Sequence, residues 1–460
     1  MSNLLPSVDT AARSGNPGAG IDYDLFLDCI HCGLCTSSCP TYTLTGNEND
    51  GPRGRIHLMR AVTDERIPLT DEVRHHLELC LDCRGCETAC PSGVQYGRLI
   101  EPFRAAMENL DPATSGAAGQ ASTPDWFTRW ILRGLFPYKA RLTKALWPAR
   151  IAQRLGLLTL AERTGALRLL PQRLRRLTEM LPPAAQREAT LPEFLPAIGR
   201  RRARVALFTG CVGDVMFRGT NWATARVLQR NGCDVLTPAG QGCCGAIHYH
   251  SGASEPAQRL ADANARVFRA DEVDAVIVNI AGCGAMLKDY PHHWHDDGSP
   301  ARNAFAAKVR DIHEFLDQLG PVRPTGELPI AATYHDACHL AHAQKIREAP
   351  RRLLRVIPGL ELTRDGRIGS LLRRGRHLQP DAARDGGCAG ATEAGPVARH
   401  PGVGGGRGER RLLVANPTRS PASGRTVVDR ASDGFAGREL PGRESVRARL
   451  ERIAKTHLRP

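Results

Sequence analysis

The feature that most constrains this chain is a pattern that occurs twice. It reads Cys29-Ile30-His31-Cys32-Gly33-Leu34-Cys35-Thr36-Ser37-Ser38-Cys39-Pro40, and returns as Cys80-Leu81-Asp82-Cys83-Arg84-Gly85-Cys86-Glu87-Thr88-Ala89-Cys90-Pro91. Each copy is C-x2-C-x2-C-x3-C-P. The first three thiolates of such a run wrap one corner of an iron–sulfur cubane, and the proline turns the chain away after the fourth. Disulfides would need an oxidising compartment, and structural zinc takes two C-x2-C pairs rather than four cysteines ending in Cys-Pro. The spacing therefore points to iron–sulfur.

Two-cluster ferredoxins hold a pair of [4Fe–4S] clusters with this run, and the fourth cysteine of each run reaches across to the other cluster. By that rule Cys29, Cys32, Cys35 and Cys90 hold one cluster, and Cys80, Cys83, Cys86 and Cys39 hold the other. Reduced thiols fit a cytoplasmic protein. Met1–Gly20 lacks the charged-then-apolar order of a signal peptide, and no apolar run approaches the ~20 residues of a membrane span. Membrane contact is then expected only peripherally, on the inner face and through partners.

The net charge of +14 invites a nucleic-acid reading, and its distribution argues against one. Arg351–Pro460 holds about 23 Lys and Arg against about 11 Asp and Glu, so almost all of the excess lies in the tail rather than on a folded face. No nucleic-acid partner is expected.

At 460 residues the chain has room for two or three domains. The expected fold class is α+β: a helical ferredoxin-like two-cluster domain followed by a duplicated α/β cysteine-rich domain. Residues 1–110 read as the two-cluster domain, with helices over Ile21–Leu27, Ile56–Val62 and Asp71–Leu79. Between the runs, Asn47–Arg55 reads as a turn-rich loop, either solvated or facing a partner. Residues 111–200 read as a Pro/Ala/Gly/Ser linker (Asp111–Pro124) and basic amphipathic helix from Trp126 to about Arg176, suited to packing on the protein, a partner or a membrane surface.

Residues 201–325 alternate strands (Arg204–Thr209, Cys233–Thr237, Asp274–Asn279) with helices (Asn221–Arg230, Glu255–Arg269), the pattern of a parallel sheet. Cys211, Cys243, Cys244 and Cys283 each follow a strand and should converge at one sheet edge. Adjacent Cys243-Cys244 between glycines suits close approach of backbone and metal, while buried or redox-active thiols are the alternative. His248, His250, His335 and His339 fall near the same loops, as ligands, proton carriers or neither.

Residues 326–362 begin a second copy. The strand Ile330–His335 leads into Asp336-Ala337-Cys338-His339, in the place of Leu207–Gly213. A second Cys-Cys-Gly is due about 32 residues after Cys338, as Cys243 follows Cys211. Instead, residues 363–460 are Arg/Gly-rich, aperiodic and read as disordered. Codons that encode Leu371–Asp385 exist which, read one base later, encode Cys-Cys-Gly-Ala-Gly-Ala-Ile-Tyr-Asn-Leu-Thr-Gln-Pro-Glu. The missing motif would then fall where the repeat requires it. A frameshift between about Leu362 and Leu371 is expected, with a divergent basic tail as the alternative; on the first reading Cys388 is incidental.

Two such cysteine runs followed by Cys-Cys-Gly repeats resemble the iron–sulfur subunit of glycolate oxidase, up to about Leu362. The points of resemblance are Cys29–Cys35, Asp50-Gly51-Pro52-Arg53-Gly54-Arg55, Leu81–Glu87 and Tyr334–His339. Iron–sulfur subunits of lactate and anaerobic glycerol-3-phosphate dehydrogenases, and heterodisulfide reductase subunits, share the architecture. The resemblance implies a complex in which separate flavin-binding subunits oxidise glycolate to glyoxylate and this chain passes electrons onward, toward a quinone or other membrane acceptor. It also implies a third iron–sulfur cluster on Cys211, Cys243, Cys244 and Cys283, the site a heterodisulfide-reductase-like enzyme would use directly. The readable chain has no G-x-G-x-x-G opening a helix after a strand, so hydride chemistry is expected in the partners.

Overall fold

The structure, a computed structural model, describes residues 15–110, 129–179, 181–182, 188–363 and 412–413, which belong to one unit spanning Met1–Pro421. Its class is α+β. Between the cysteine runs, Pro52 opens α1 (Pro52–Thr63) at a position where a missing N–H is harmless. Ile56, Met59 and Val62 then recur at helical spacing and are buried. Thr70 caps α2 (Asp71–Glu78) by accepting from the Val73 amide, with Asp71 and Glu72 facing the helix dipole in its first turn. Helix α3 (Gly97–Asn109) contributes Leu99, Ile100, Phe103 and Met107 to the same core, and Cys29, Cys80, Cys86 and Cys90 pack on its edge. The cysteine loops thus rest directly on an apolar floor.

Helix α1 starts four residues before the expected Ile56, so Pro52–Arg55 of the turn-rich loop is helical, and Glu48–Asp50 form a 3-10 turn just before it. Gly54 explains how: a Cβ there would lie 2.0 Å from the Glu48 carbonyl oxygen, so only glycine lets the helix press against the preceding turn.

The expected basic helical region is broken into pieces. A π-helical stretch, Trp130–Leu135, precedes α4 (Lys139–Arg154), and Leu157–Thr164 follows after Gly156, which takes a left-handed φ of 71°. Trp147, Leu155 and Leu160 are exposed here. The linker Asp111–Pro124 lies outside the described residues.

The five-stranded sheet has the order β1-β3-β2-β4-β5, built from β1 (Phe194–Leu195), β2 (Ala203–Phe208), β3 (Cys233–Leu236), β4 (Ala275–Val278) and β5 (Val309–Asp311). Strands β2 to β5 are parallel, and β1 closes one edge antiparallel to β3. Helices α5 (Arg218–Arg230), α6 (Ser254–Val267) and α7 (Ala281–His293) provide the crossovers. Val205 and Leu207 join one core with Leu228 and Phe315, while Ala206 and Phe208 join another with Phe268, Tyr290 and Phe305. Both faces are covered, which is why the strands read as continuous apolar runs. Helix α8 (Ile312–Leu319), with β5 absent from the sequence reading, opens on a capping box of Asp311 and Glu314.

The second copy begins as expected. Strand β6 (Ala331–Thr333) leads to a π-helical turn, His339–Ala343, and to α9 (Glu348–Arg355). It pairs in parallel with β7 (Glu361–Thr363) and β8 (Leu412–Leu413). The position due for a second Cys-Cys-Gly, the proposed shifted segment Leu371–Asp385 and Cys388 lie outside the described residues.

Candidate functional site

The two cysteine runs fold into matching loops. The third residue of each, His31 and Asp82, has a left-handed φ (56° and 49°), and so does the fifth, Gly33 (83°) and Arg84 (54°). Left-handed backbone at alternate positions curls each loop around its own concavity. Three of these residues are not glycine, so the surroundings must hold them in a conformation that L residues disfavour.

Cys29, Cys32, Cys35 and Cys90 line one cavity; Cys39, Cys80 and Cys83 line its neighbour, and Cys86 and Tyr96 stand on the wall between them. Cys29 interacts electrostatically with Cys90 and Cys32, and Cys86 with Cys80, Cys83 and Cys39. The last cysteine of each run thus faces the thiols of the other run. Burial pushes the Cys83 thiol up to about 12 and Cys86 well above its ordinary value. Such groups ionise readily only beside a metal.

Behind Cys39 lies a buried polar network. Arg55, 1 % exposed, donates from Nε to the His76 carbonyl (2.7 Å) and from Nη1 to Thr41 Oγ1 (3.1 Å). Its Nη1 lies 4.0 Å from Cys39 Sγ and its Nη2 3.9 Å from Asp50 Oδ1, while Asp50 also meets His76 Nδ1 at 2.8 Å. Arg104 performs a related task at the second run, donating to the Leu77, Glu78 and Cys80 carbonyls where α2 hands the chain to Cys80.

The sheet edge gathers the other four cysteines. Cys211 follows β2, Cys243 and Cys244 follow β3, and Cys283 opens α7 after β4. These loops flank the point where the strand order reverses, the usual crevice of an open parallel sheet. Cys211 Sγ lies 3.3 Å from Cys243 Sγ, and Cys244 Sγ 3.3 Å from Cys283 Sγ. Contact with Cys243, then burial, pushes the Cys211 thiol far up. Tyr290 donates to the Cys244 carbonyl (2.8 Å), and Asn264 Nδ2 to the Cys243 carbonyl (2.9 Å), pinning the double-cysteine turn from two helices.

The four histidines singled out above do not share one place. His248 is buried beside Tyr138, 6.3 Å between ring centroids, and His335 lies just past β6. His250 and His339 come within 6.0 Å of each other over the second cysteine run. His339 Nε2 meets the Asp82 carbonyl oxygen at 2.8 Å, and its Nδ1 lies 3.5 Å from where a Gly282 Cβ would stand, next to Cys283. The second copy thereby touches both sets of cysteines. Its Cys338 is within electrostatic reach of Cys83, and His342 Nδ1 meets Thr88 Oγ1 at 2.8 Å.

Sequence reasoning missed the ion cluster at this junction. Arg84 binds Glu101 (2.5 Å) in α3 and Asp289 (2.8 Å) in α7. Burial opposes ionisation of Asp82, yet His250 and Arg84 hold its carboxyl down at about 2, whereas burial and Asp82 push Glu101 well up. Burial pushes His250 down to about 4 and His293 well below its ordinary value.

Family models match the chain in three places: a 4Fe-4S dicluster domain over residues 26–94, a glycolate oxidase iron-sulfur subunit linker region over 123–181, and a cysteine-rich domain over 205–288 and again over 332–364. A probable glycolate oxidase iron-sulfur subunit of Bacillus subtilis is 40% identical over 348 residues, 74% of this chain and 77% of the relative. The chain belongs to the glycolate oxidase iron–sulfur subunit family. The Escherichia coli glycolate oxidase iron-sulfur subunit is 34% identical over 346 residues, 73% of this chain and 76% of its own. Lactate utilization protein A of an Exiguobacterium species is 34% identical over 161 residues, 34% of this chain and 66% of its own. No solved structure matches the chain. Membership makes the chain an iron–sulfur protein and a subunit of an oxidoreductase complex. Among the described residues, no helix is long and apolar enough to cross a membrane.

Proposed function

We propose that this chain is the electron-transfer subunit of a glycolate-oxidising complex. Flavin-binding partners oxidise glycolate to glyoxylate, and this chain passes the electrons toward a quinone-type acceptor. The substrate and the flavin partners come from the family; the role of the chain rests on its own cysteines. One observation carries it: two neighbouring cavities, each lined by cysteines of both runs, with Cys90 reaching the first and Cys39 the second.

The residues fit two [4Fe–4S] clusters. Cys29, Cys32, Cys35 and Cys90 would hold one, and Cys39, Cys80, Cys83 and Cys86 the other. Bound there, the clusters supply reversible one-electron chemistry. The chain supplies the apolar floor that excludes water, and the Arg55 guanidinium near Cys39, whose charge favours a reduced site. Cys211, Cys243, Cys244 and Cys283 fit a third cluster: three buried thiols and the half-buried Cys283, paired at 3.3 Å and all pushed up, form a donor set that a metal would ionise. His339, bonded beside Cys83 and packed beside Cys283, places the second run next to this third set.

The domain reading (1–110, 111–200, 201–325, 326–362 and 363–460) and the frameshift remain part of this proposal. The second match of the cysteine-rich family model ends at residue 364, where the Arg/Gly-rich tail begins, in accord with an interrupted repeat.

Iron and acid-labile sulfide are to be counted after anaerobic purification, with EPR of the reduced protein. About twelve irons per chain support all three sites, and about eight restrict clusters to the two runs. Fewer than eight, with no reduced-cluster EPR signal, would refute the electron-transfer reading.

A further inference from the structure

The ion cluster beside the second cysteine run is left incomplete by the protein. Asp82 is 6 % exposed and Glu101 2 %. His250 Nδ1 lies 3.3 Å from Asp82 Oδ2 and 3.8 Å from Glu101 Oε1, and one donor atom from each of the three falls within 4.8 Å of the others. A fourth group points in independently. The His293 side chain, 7 % exposed, directs Nε2 at Glu101 Oε2 from 3.8 Å. Both Asp82 oxygens, His250 Nδ1 and His293 Nε2 are buried without a hydrogen-bond partner among the described residues.

Buried polar atoms are almost always satisfied, so something is missing from the centre of this group. Arg84 does not supply it. Its Nη groups are committed to Glu101 and Asp289, and its Nε is 4.0 Å from Asp82. A proton shared between the two carboxyl groups would satisfy the oxygens but leave both imidazole nitrogens empty. A cation at the centre faces all four donors at once, and it offsets a buried surplus of carboxylate over guanidinium.

We propose that Asp82, Glu101 and His250, with His293 alongside, bind one divalent first-row metal ion separate from the cysteine sets. Two carboxylates with one or two imidazoles suit Mn²⁺, Fe²⁺ or Zn²⁺, and disfavour Ca²⁺, which prefers an all-oxygen shell. The ligands come from the second cysteine loop, α3, the short helix Ala246–His250 and the end of α7. The ion therefore staples the ferredoxin-like part to the sheet that carries Cys243, Cys244 and Cys283. This goes beyond the electron-transfer reading and does not depend on the number of clusters.

Manganese is the probe, because it avoids thiols. Full-length protein, purified anaerobically, is analysed for its elements, treated with chelator, desalted and titrated with Mn²⁺ alone, with free Mn²⁺ read by EPR. The expected result is one non-cluster divalent ion per chain, either retained through chelation or taken up as Mn²⁺. His250→Gln and Glu101→Gln should each weaken Mn²⁺ binding at least tenfold while iron and sulfide stay at wild-type levels. If Glu101→Gln loses iron through misfolding, His250→Gln and His293→Gln decide the matter, since both lie outside the cysteine loops. Absence of such an ion in the wild-type protein, or binding unchanged in the folded variants, would overturn the site and leave a proton shared by Asp82 and Glu101.

Discussion

Arg53 and Arg55 carry the same charge two residues apart on α1, and the structure gives them opposite weights. Arg55 is 1 % exposed, donates to Thr41 and the His76 carbonyl, and sets its charge 3.9 Å from Asp50, itself 3 % exposed. Arg55→Met removes the cation and leaves the Asp50 carboxylate buried with His76 as its remaining partner. Removing one member of a buried ion pair costs about 3–5 kcal/mol. At roughly 2–4 °C per kcal/mol for a unit of this size, the melting temperature should fall by on the order of 10 °C. Arg53 pairs instead with Glu48, and their side chains are 34% and 45% exposed. Arg53→Met should move the melting temperature by no more than about 2 °C, as surface substitutions do.

The assay is thermal denaturation of the anaerobically purified protein at one fixed scan rate, because loss of clusters makes unfolding irreversible. Asp50→Asn in the Arg55→Met background should restore part of the loss, with a coupling of about 1–3 kcal/mol. If Arg55→Met and Arg53→Met melt together, or if the double variant loses the full sum, the buried-pair argument is wrong.

Other substitutions test other parts of the argument. Gly54→Ala drives a methyl group into the Glu48 carbonyl and should destabilise by roughly 1–3 kcal/mol, as overpacking does, seen as a lower melting temperature. Arg104→Met strips the Leu77, Glu78 and Cys80 carbonyls of a charged donor and should cost about 2 kcal/mol, with faster iron loss from the second run on exposure to chelator. Cys244→Ser should lower iron by about four per chain if the sheet-edge cysteines hold a cluster, and leave the count unchanged if they do not. DNA sequencing across codons 362–371 should show the shifted Cys-Cys-Gly frame; an in-frame sequence with other codons removes the frameshift.

The sequence carried what metal chemistry and continuous burial impose. Cysteine spacing is set by the object it surrounds, so both runs were legible without a fold, and the apolar runs of β2, β3 and β4 are what a sheet covered on both faces requires. Strand β5 was not legible because Val309-Arg310-Asp311 offers a single apolar residue and pairs by position alone. Nor does Arg55 differ from Arg53 by any local mark; only the placement of Asp50 and His76 makes one a core residue. The same holds for Asp82, Glu101 and His293, which are far apart in the chain and meet only because α3 and α7 pack across the second cysteine loop. Their one early sign was His250, read as a neighbour of the sheet-edge cysteines and found facing Asp82 instead. The capping box at Asp311 was a signal present and passed over.

The crossing of the two cysteine runs also sets an order of events at the ribosome. On the proposed assignment neither set of four is complete until the second run has emerged: Cys86 completes the set that includes Cys39, and Cys90 completes the other, about fifty residues after Cys39. At roughly 5–20 residues per second the first run waits several seconds as unmetallated thiols, with Cys32 exposed. Completion of a cluster on the first run alone, before the second run is made, is then excluded by connectivity. Both centres must wait for the second run, and a chain interrupted before Cys86 can complete neither.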